Sequence, residues 1–124
     1  WSMAVDQECD NRNYLYGRML AIADRIEYRT YDREDGRTTN AKRYMTAFSQ
    51  RPFSTWKNLE EKLQPYLQRL KPGERIKYMN LLDDVVSKFT VEKFECDEPL
   101  NGLYLLGFHS QSCDLRNWKG EEEQ

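Results

Sequence analysis

The apolar positions of this chain recur at helical spacing. Leu15, Met19, Ile22 and Ile26 step by four, three and four residues and form one stripe of a first helix, with Asp10 or Asn11 placed to cap it. The segment "TYDREDGRTTN" breaks the pattern with Asp35-Gly36 and reads as a loop. A short second helix is expected from Thr38 or Thr39, carrying Lys42, Arg43, Tyr44 and Phe48. A third begins near Pro52, a residue suited to a first helical turn, with a stripe of Trp56, Leu59, Leu63, Tyr66/Leu67 and Leu70. Pro65 lies inside that stripe and is expected to kink it, because its nitrogen cannot bond back to the Glu61 carbonyl.

"KPGE" marks the next turn. A fourth helix follows with Ile76, Met79, Leu82, Val85/Val86 and Phe89 inward. "TVEKFECDEP" reads as irregular. Asp97 is placed to cap a fifth helix with Pro99 in its first turn. From Pro99 to Cys113 that helix carries no formal charge, so it is expected to be the central, most buried one. No segment alternates with period two, and no Asn-Gly or Asp-Gly joins two strand-like runs. The expectation is an all-α, compact bundle of about five helices, one domain over residues 1–124, with 1–10 and 119–124 flexible.

Two apolar stretches near opposite ends share a Tyr-Leu-x-Gly motif: "NYLYGRMLAI" at 13–22 and "GLYLLGFHSQ" at 102–111. Glycine inside a helix costs roughly 0.5–1 kcal/mol relative to alanine. Gly17, Gly102 and Gly107 are therefore expected where the first and last helices cross, the extra burial offsetting that cost.

Composition narrows the picture. At 124 residues the chain suits one core, and no run of eighteen apolar residues offers a membrane span. The start has neither a basic n-region nor an apolar h-region, so no signal peptide is expected. The chain begins with Trp1, and Met3 is the first possible natural start. A piece of a longer polypeptide and an added Trp1-Ser2 both remain open. Cys9, Cys96 and Cys113 show neither paired nor zinc spacing, and the single histidine makes a His-ligated metal improbable; a reducing cytoplasm fits best. No cofactor or metal is expected.

The net charge is −2, yet residues 36–59 hold Arg37, Lys42, Arg43, Arg51 and Lys57 and no carboxylate. This window is expected to form one positive face for nucleic-acid backbone. Arg18 either reaches a phosphate or snorkels from the edge of an apolar face. Tyr44, Phe48, Phe53 and Trp56 interleave with the basic window and are read first as core, second as stacking platforms. The paired carboxylates Glu60-Glu61 and Asp83-Asp84 are read as a solvated face that would repel phosphates. His109 and Cys113, four apart, are the best nucleophile pair available. A satisfied core histidine is the preferred reading, and the chain is expected not to be an enzyme.

The motifs also carry a resemblance. "NYLYGRMLAIADRIE" resembles the opening N-x-x-Y-L-L-G-R-L-x-A-x-x-E of the C-terminal helical region of the large CRISPR-associated subunit of subtype I-C. "KRYMTAFSQRP", at 42–52, resembles that family's R-x-R-Y-F-x-x-A-S-x-x-P, and "GLYLLGFHSQ" its closing G-L-x-A-L-G-Y-Y-H-Q. The blocks keep the family order over about residues 11–116. Departures include Thr46 and Arg51 where the family has Gly and Thr, a single aromatic, Phe108, before His109, and Ser112 where it has a basic residue.

The resemblance implies a small subunit of the RNA-guided Cascade complex, made separately by internal initiation, or the equivalent domain of the large subunit. Implied partners are the backbone subunits, the large subunit, a neighbouring small subunit, guide RNA and target DNA, with no membrane. The implied role is non-catalytic: to stabilise DNA strands, above all the displaced one, while base pairing reads the sequence. A pure scaffold that bridges backbone subunits without touching nucleic acid is the alternative.

Overall fold

A computed structural model describes residues 4–30 and 38–118. Its helices are α1 (Arg12–Thr30), α2 (Asn40–Arg43), α3 (Met45–Gln50), α4 (Pro52–Arg69), α5 (Pro72–Ser87), α6 (Val91–Phe94) and α7 (Leu103–Arg116). Among the described residues there is no strand, and the architecture is an all-α bundle. No described helix is long and apolar enough to cross a membrane.

The helix at the centre is α1, not the last one. Leu15, Met19, Ile22 and Ile26 are fully buried, and so are Tyr16, Arg18 and Leu20 on the intervening positions. Its start is capped by Asn11, whose Oδ1 accepts from the Asn13 N–H at 2.9 Å. The Arg12 guanidinium then donates to the carbonyls of Lys93 (3.0 Å), Cys96 (2.8 Å) and Glu98 (2.7 Å), and so fastens the 93–98 segment to the head of α1. Tyr16 reinforces this anchor by donating its hydroxyl to the Phe94 carbonyl. Residues 4–11 pack back on α1: Val5 is buried, and the Asp6 N–H donates to the Tyr14 hydroxyl at 2.9 Å.

The single short helix expected after Thr39 is two. Thr39 caps α2, its hydroxyl accepting from the Lys42 N–H, and Tyr44 leaves helical geometry at ψ 5° before α3 resumes. The stripe of α4 is as read from the sequence: Trp56, Leu59, Leu63, Leu67 and Leu70 are buried. Pro65 sits on its exposed side, and α4 continues through it to Arg69. Pro65 has no N–H to donate to the Glu61 carbonyl.

Further expectations fail. On α5, Ile76 and Met79 are 58% and 45% exposed, whereas Glu74, Tyr78 and Val85 are buried. Glu74 can turn inward because Arg29 reaches it from α1 at 2.7 Å. The segment expected to be irregular contains α6, capped by Thr90, whose hydroxyl accepts from the Lys93 N–H at 3.2 Å. The last helix starts at Leu103 rather than Pro99, because Asp97 is engaged elsewhere: it accepts from the Ser54 N–H at 2.9 Å and from the Ser54 hydroxyl, and so caps α4. Asn101 starts α7 instead, accepting from the Leu103 N–H at 2.9 Å. One side of α7 is open: Leu103, Leu105 and Leu106 are 36–43% exposed, and His109 is exposed rather than a core histidine.

The expected glycine crossing is present. A Cβ on Gly17 would lie 1.9 Å from the Tyr104 carbonyl oxygen, and a Cβ on Gly107 would lie 2.1 Å from that of Tyr14. Gly102 takes no part, since nothing lies within 4 Å of where its Cβ would be. The two helices run in the same direction. Asn13 accepts from the Asn101 N–H near their starts, Arg18 meets Gln111 further along, and Arg25 and Tyr28 share a cleft with Ser112 and Arg116 at their far ends.

Candidate nucleic-acid interface

The parallel course of α1 and α7 brings basic residues from distant parts of the chain to one place. Arg25 and Tyr28 of α1, Lys42 of α2, and Phe108, His109, Ser112 and Arg116 of α7 line a cleft of about 440 Å³. Arg25, Lys42 and Arg116 supply three cations to this cleft, and Asp24 is the one carboxylate among its lining residues. Asp24 accepts a hydrogen bond from the Thr39 hydroxyl. The Arg25 guanidinium lies 5.1 Å over the Tyr28 ring, and Arg116 donates to the Cys113 sulfur at 3.2 Å. Cations, the Ser112 hydroxyl and the exposed His109 ring make a surface that can hold phosphates and abut a base.

The sequence-predicted residues distribute unevenly. Lys42 is in the cleft. Arg43 is exposed and lies toward Glu27, a carboxyl that burial pushes up and that the Asn40 N–H and the more distant Arg43 charge pull back down. Arg51, also exposed, lies toward Asp97, whose carboxyl is held below its ordinary value chiefly by the Ser54 hydroxyl and N–H. Lys57 lines a different groove together with Glu60, Asp83 and Glu95, and its ammonium sits 5.4 Å over the Phe53 ring. Arg37 lies outside the described residues. Phe48 and Trp56 are core residues, which excludes them as stacking platforms.

Arg18 neither reaches a phosphate nor snorkels. It is 0% exposed; its Nε donates to Gln111 Oε1 at 2.8 Å, and Nη1 and Nη2 have no hydrogen-bond partner. Burial pulls its pKa below the ordinary value, against weaker support from the charges of Tyr14, Asp84, Asp114 and Cys9. The reason is positional: Arg18 follows the crossing glycine, where α1 is covered on every side.

Sequence reading missed Arg25 and Arg116. A signal was available in the paired motifs, since Arg25 stands eight residues beyond Gly17 and Arg116 nine beyond Gly107. Parallel helices crossing at those glycines must bring the two arginines to the same end.

No curated protein matches the chain. Residues 1–116 match the model of a family of CRISPR-associated proteins, Cas_Csd1. With the match covering nearly the whole chain, this protein belongs to the CRISPR-associated family Cas_Csd1.

Proposed function

We propose that this protein is a non-catalytic, DNA-contacting component of an RNA-guided CRISPR surveillance complex of subtype I-C, acting in the cytoplasm as a small subunit or the equivalent domain of the large one. Its partners are the backbone subunits, the large subunit and a neighbouring small subunit, with guide RNA and target DNA. The observation that carries this reading is the α1–α2–α7 cleft, with three cations against one carboxylate in a chain of net charge −2. Such a cleft suits the phosphate backbone of an unpaired strand, while sequence is read by base pairing to the guide. With three phosphates neutralised on a single strand, affinity falls about 20-fold between 50 and 200 mM salt.

The test uses the assembled complex. Lys42→Glu with Arg116→Glu, both at exposed positions, weakens DNA binding for all sequences alike and flattens the salt dependence, with subunit composition unchanged. Arg51→Glu with Lys57→Glu has a smaller effect, since both side chains already lie near carboxylates. Full DNA affinity in the cleft variant would favour the scaffold role instead.

A further inference from the structure

A groove on α4, α5 and α6 combines an apolar floor with an acidic rim. Phe53, Leu82, Val86 and Phe94 form its floor, and Glu60, Asp83 and Glu95 stand at its edge, with Lys57 the one cation among its lining residues. The groove measures about 340 Å³. It continues into a second depression of about 270 Å³ that shares Val86, Phe94 and Glu95 and extends to Phe89 and Val91. Val91 is 73% exposed at that end.

We infer that this groove is a docking surface for a segment of a partner protein that sets apolar side chains among lysines and arginines. The floor offers apolar area that only apolar side chains cover without stranding polar groups. Three carboxylates against one ammonium attract cations and repel phosphate, so the groove is closed to DNA and RNA. Lys57, held over Phe53, is one ammonium against three carboxylates, so the rim stays acidic toward an incoming chain. The surface is separate from the basic cleft, with which it shares no lining residue. It does not depend on the DNA-binding proposal.

The probe is a short, labelled amphipathic peptide with Leu and Phe at helical spacing among Lys and Arg. Two companions replace Lys and Arg by Glu, or Leu and Phe by Ser. Fluorescence anisotropy on the intact protein gives binding of the first peptide only. That binding weakens at least tenfold in Asp83→Lys with Glu95→Lys and persists in Lys42→Glu with Arg116→Glu. Asp83→Asn with Glu95→Gln serves as the second variant if charge reversal lowers the melting temperature, and it too loses affinity. Equal binding of the Glu peptide, undiminished binding by both groove variants, or displacement by an oligonucleotide overturns the inference. Self-association of the wild-type protein that the groove variants abolish would assign the groove to a second copy and overturn it as well.

Discussion

Gly17 and Gly107 are equivalent partners across the α1–α7 crossing, each lying against the backbone carbonyl of the tyrosine three residues before the other. A hydrogen on each glycine Cα occupies the place of a side chain and meets a carbonyl oxygen, the arrangement of a weak Cα–H···O contact. The obstacle to any side chain is backbone, which cannot rotate away. Gly17→Ala and Gly107→Ala each therefore destabilise by about 3 kcal/mol or more, at or beyond the upper end for overpacking. Gly102→Ala, with open space and φ −60°, is neutral or stabilises by about 0.4–1 kcal/mol. Thermal melts of the three variants decide the matter; equal melting temperatures would remove the close-approach account.

Arg18 and Gln111 form a buried pair in which most of the guanidinium goes unsatisfied. Gln111→Leu removes the one hydrogen bond to the buried guanidinium and costs about 1.5–3 kcal/mol. Arg18→Met leaves only the Gln111 amide unsatisfied and costs about 1–3 kcal/mol. The double variant replaces the whole unit by apolar volume and is nearly neutral, or more stable than the natural pair. A double-mutant cycle from denaturant melts measures this, and simple additivity would show that the two side chains do not act together.

Asp97 gives the fold an acid-sensitive fastening. Its carboxyl is held below the ordinary value of 3.8, chiefly by the hydroxyl and N–H of Ser54. A depressed folded-state pKa contributes stability that is present above 3.8 and is lost as pH falls through the lower folded value. Asp97→Ala is expected to cost about 1 kcal/mol at neutral pH, as loss of a helix cap does. The gap from the wild type should narrow as pH drops below 3.8. A gap that stays constant to the lowest pH would show that the charge does nothing there.

Ile76 and Met79 test the reading of α5. Both are largely exposed. Ile76→Lys and Met79→Lys should each shift stability by no more than about 0.5 kcal/mol, as expected for surface positions. A drop of several kcal/mol in a denaturant melt would place these residues inside after all.

How far the sequence discloses the fold depends on how many neighbours an element has. Helix α4 faces the core with one side, so its stripe from Trp56 to Leu70 is legible from spacing alone. Helix α1 is covered all round, periodicity loses its meaning there, and Arg18 is buried at a position where composition places an arginine outside. On α5 an ion pair overrides hydrophobicity: Arg29 draws Glu74 inward and turns Ile76 out. Asp97 has the chemistry of a helix cap, but the helix it caps begins 45 residues before it, at Pro52, and no local rule names that target. The basic cleft shares this difficulty, because Arg25 and Arg116 become neighbours only once the crossing at Gly17 and Gly107 is known.

That crossing also sets an order of events in synthesis. Among the described helices, α1 packs most closely against α7, with α2 to α6 between them in the chain. At roughly 5–20 residues per second, α1 waits on the order of 5–20 s for α7 to leave the ribosome. During that interval the flank of α1 around Gly17 has no partner, and the nascent chain presents it to water or to a chaperone. Contacts so distant in sequence are also the slowest to close. Closure of the crossing thus waits for α7: a chain cut short before Gly107 lacks half of its central contact, however complete α1 to α6 already are.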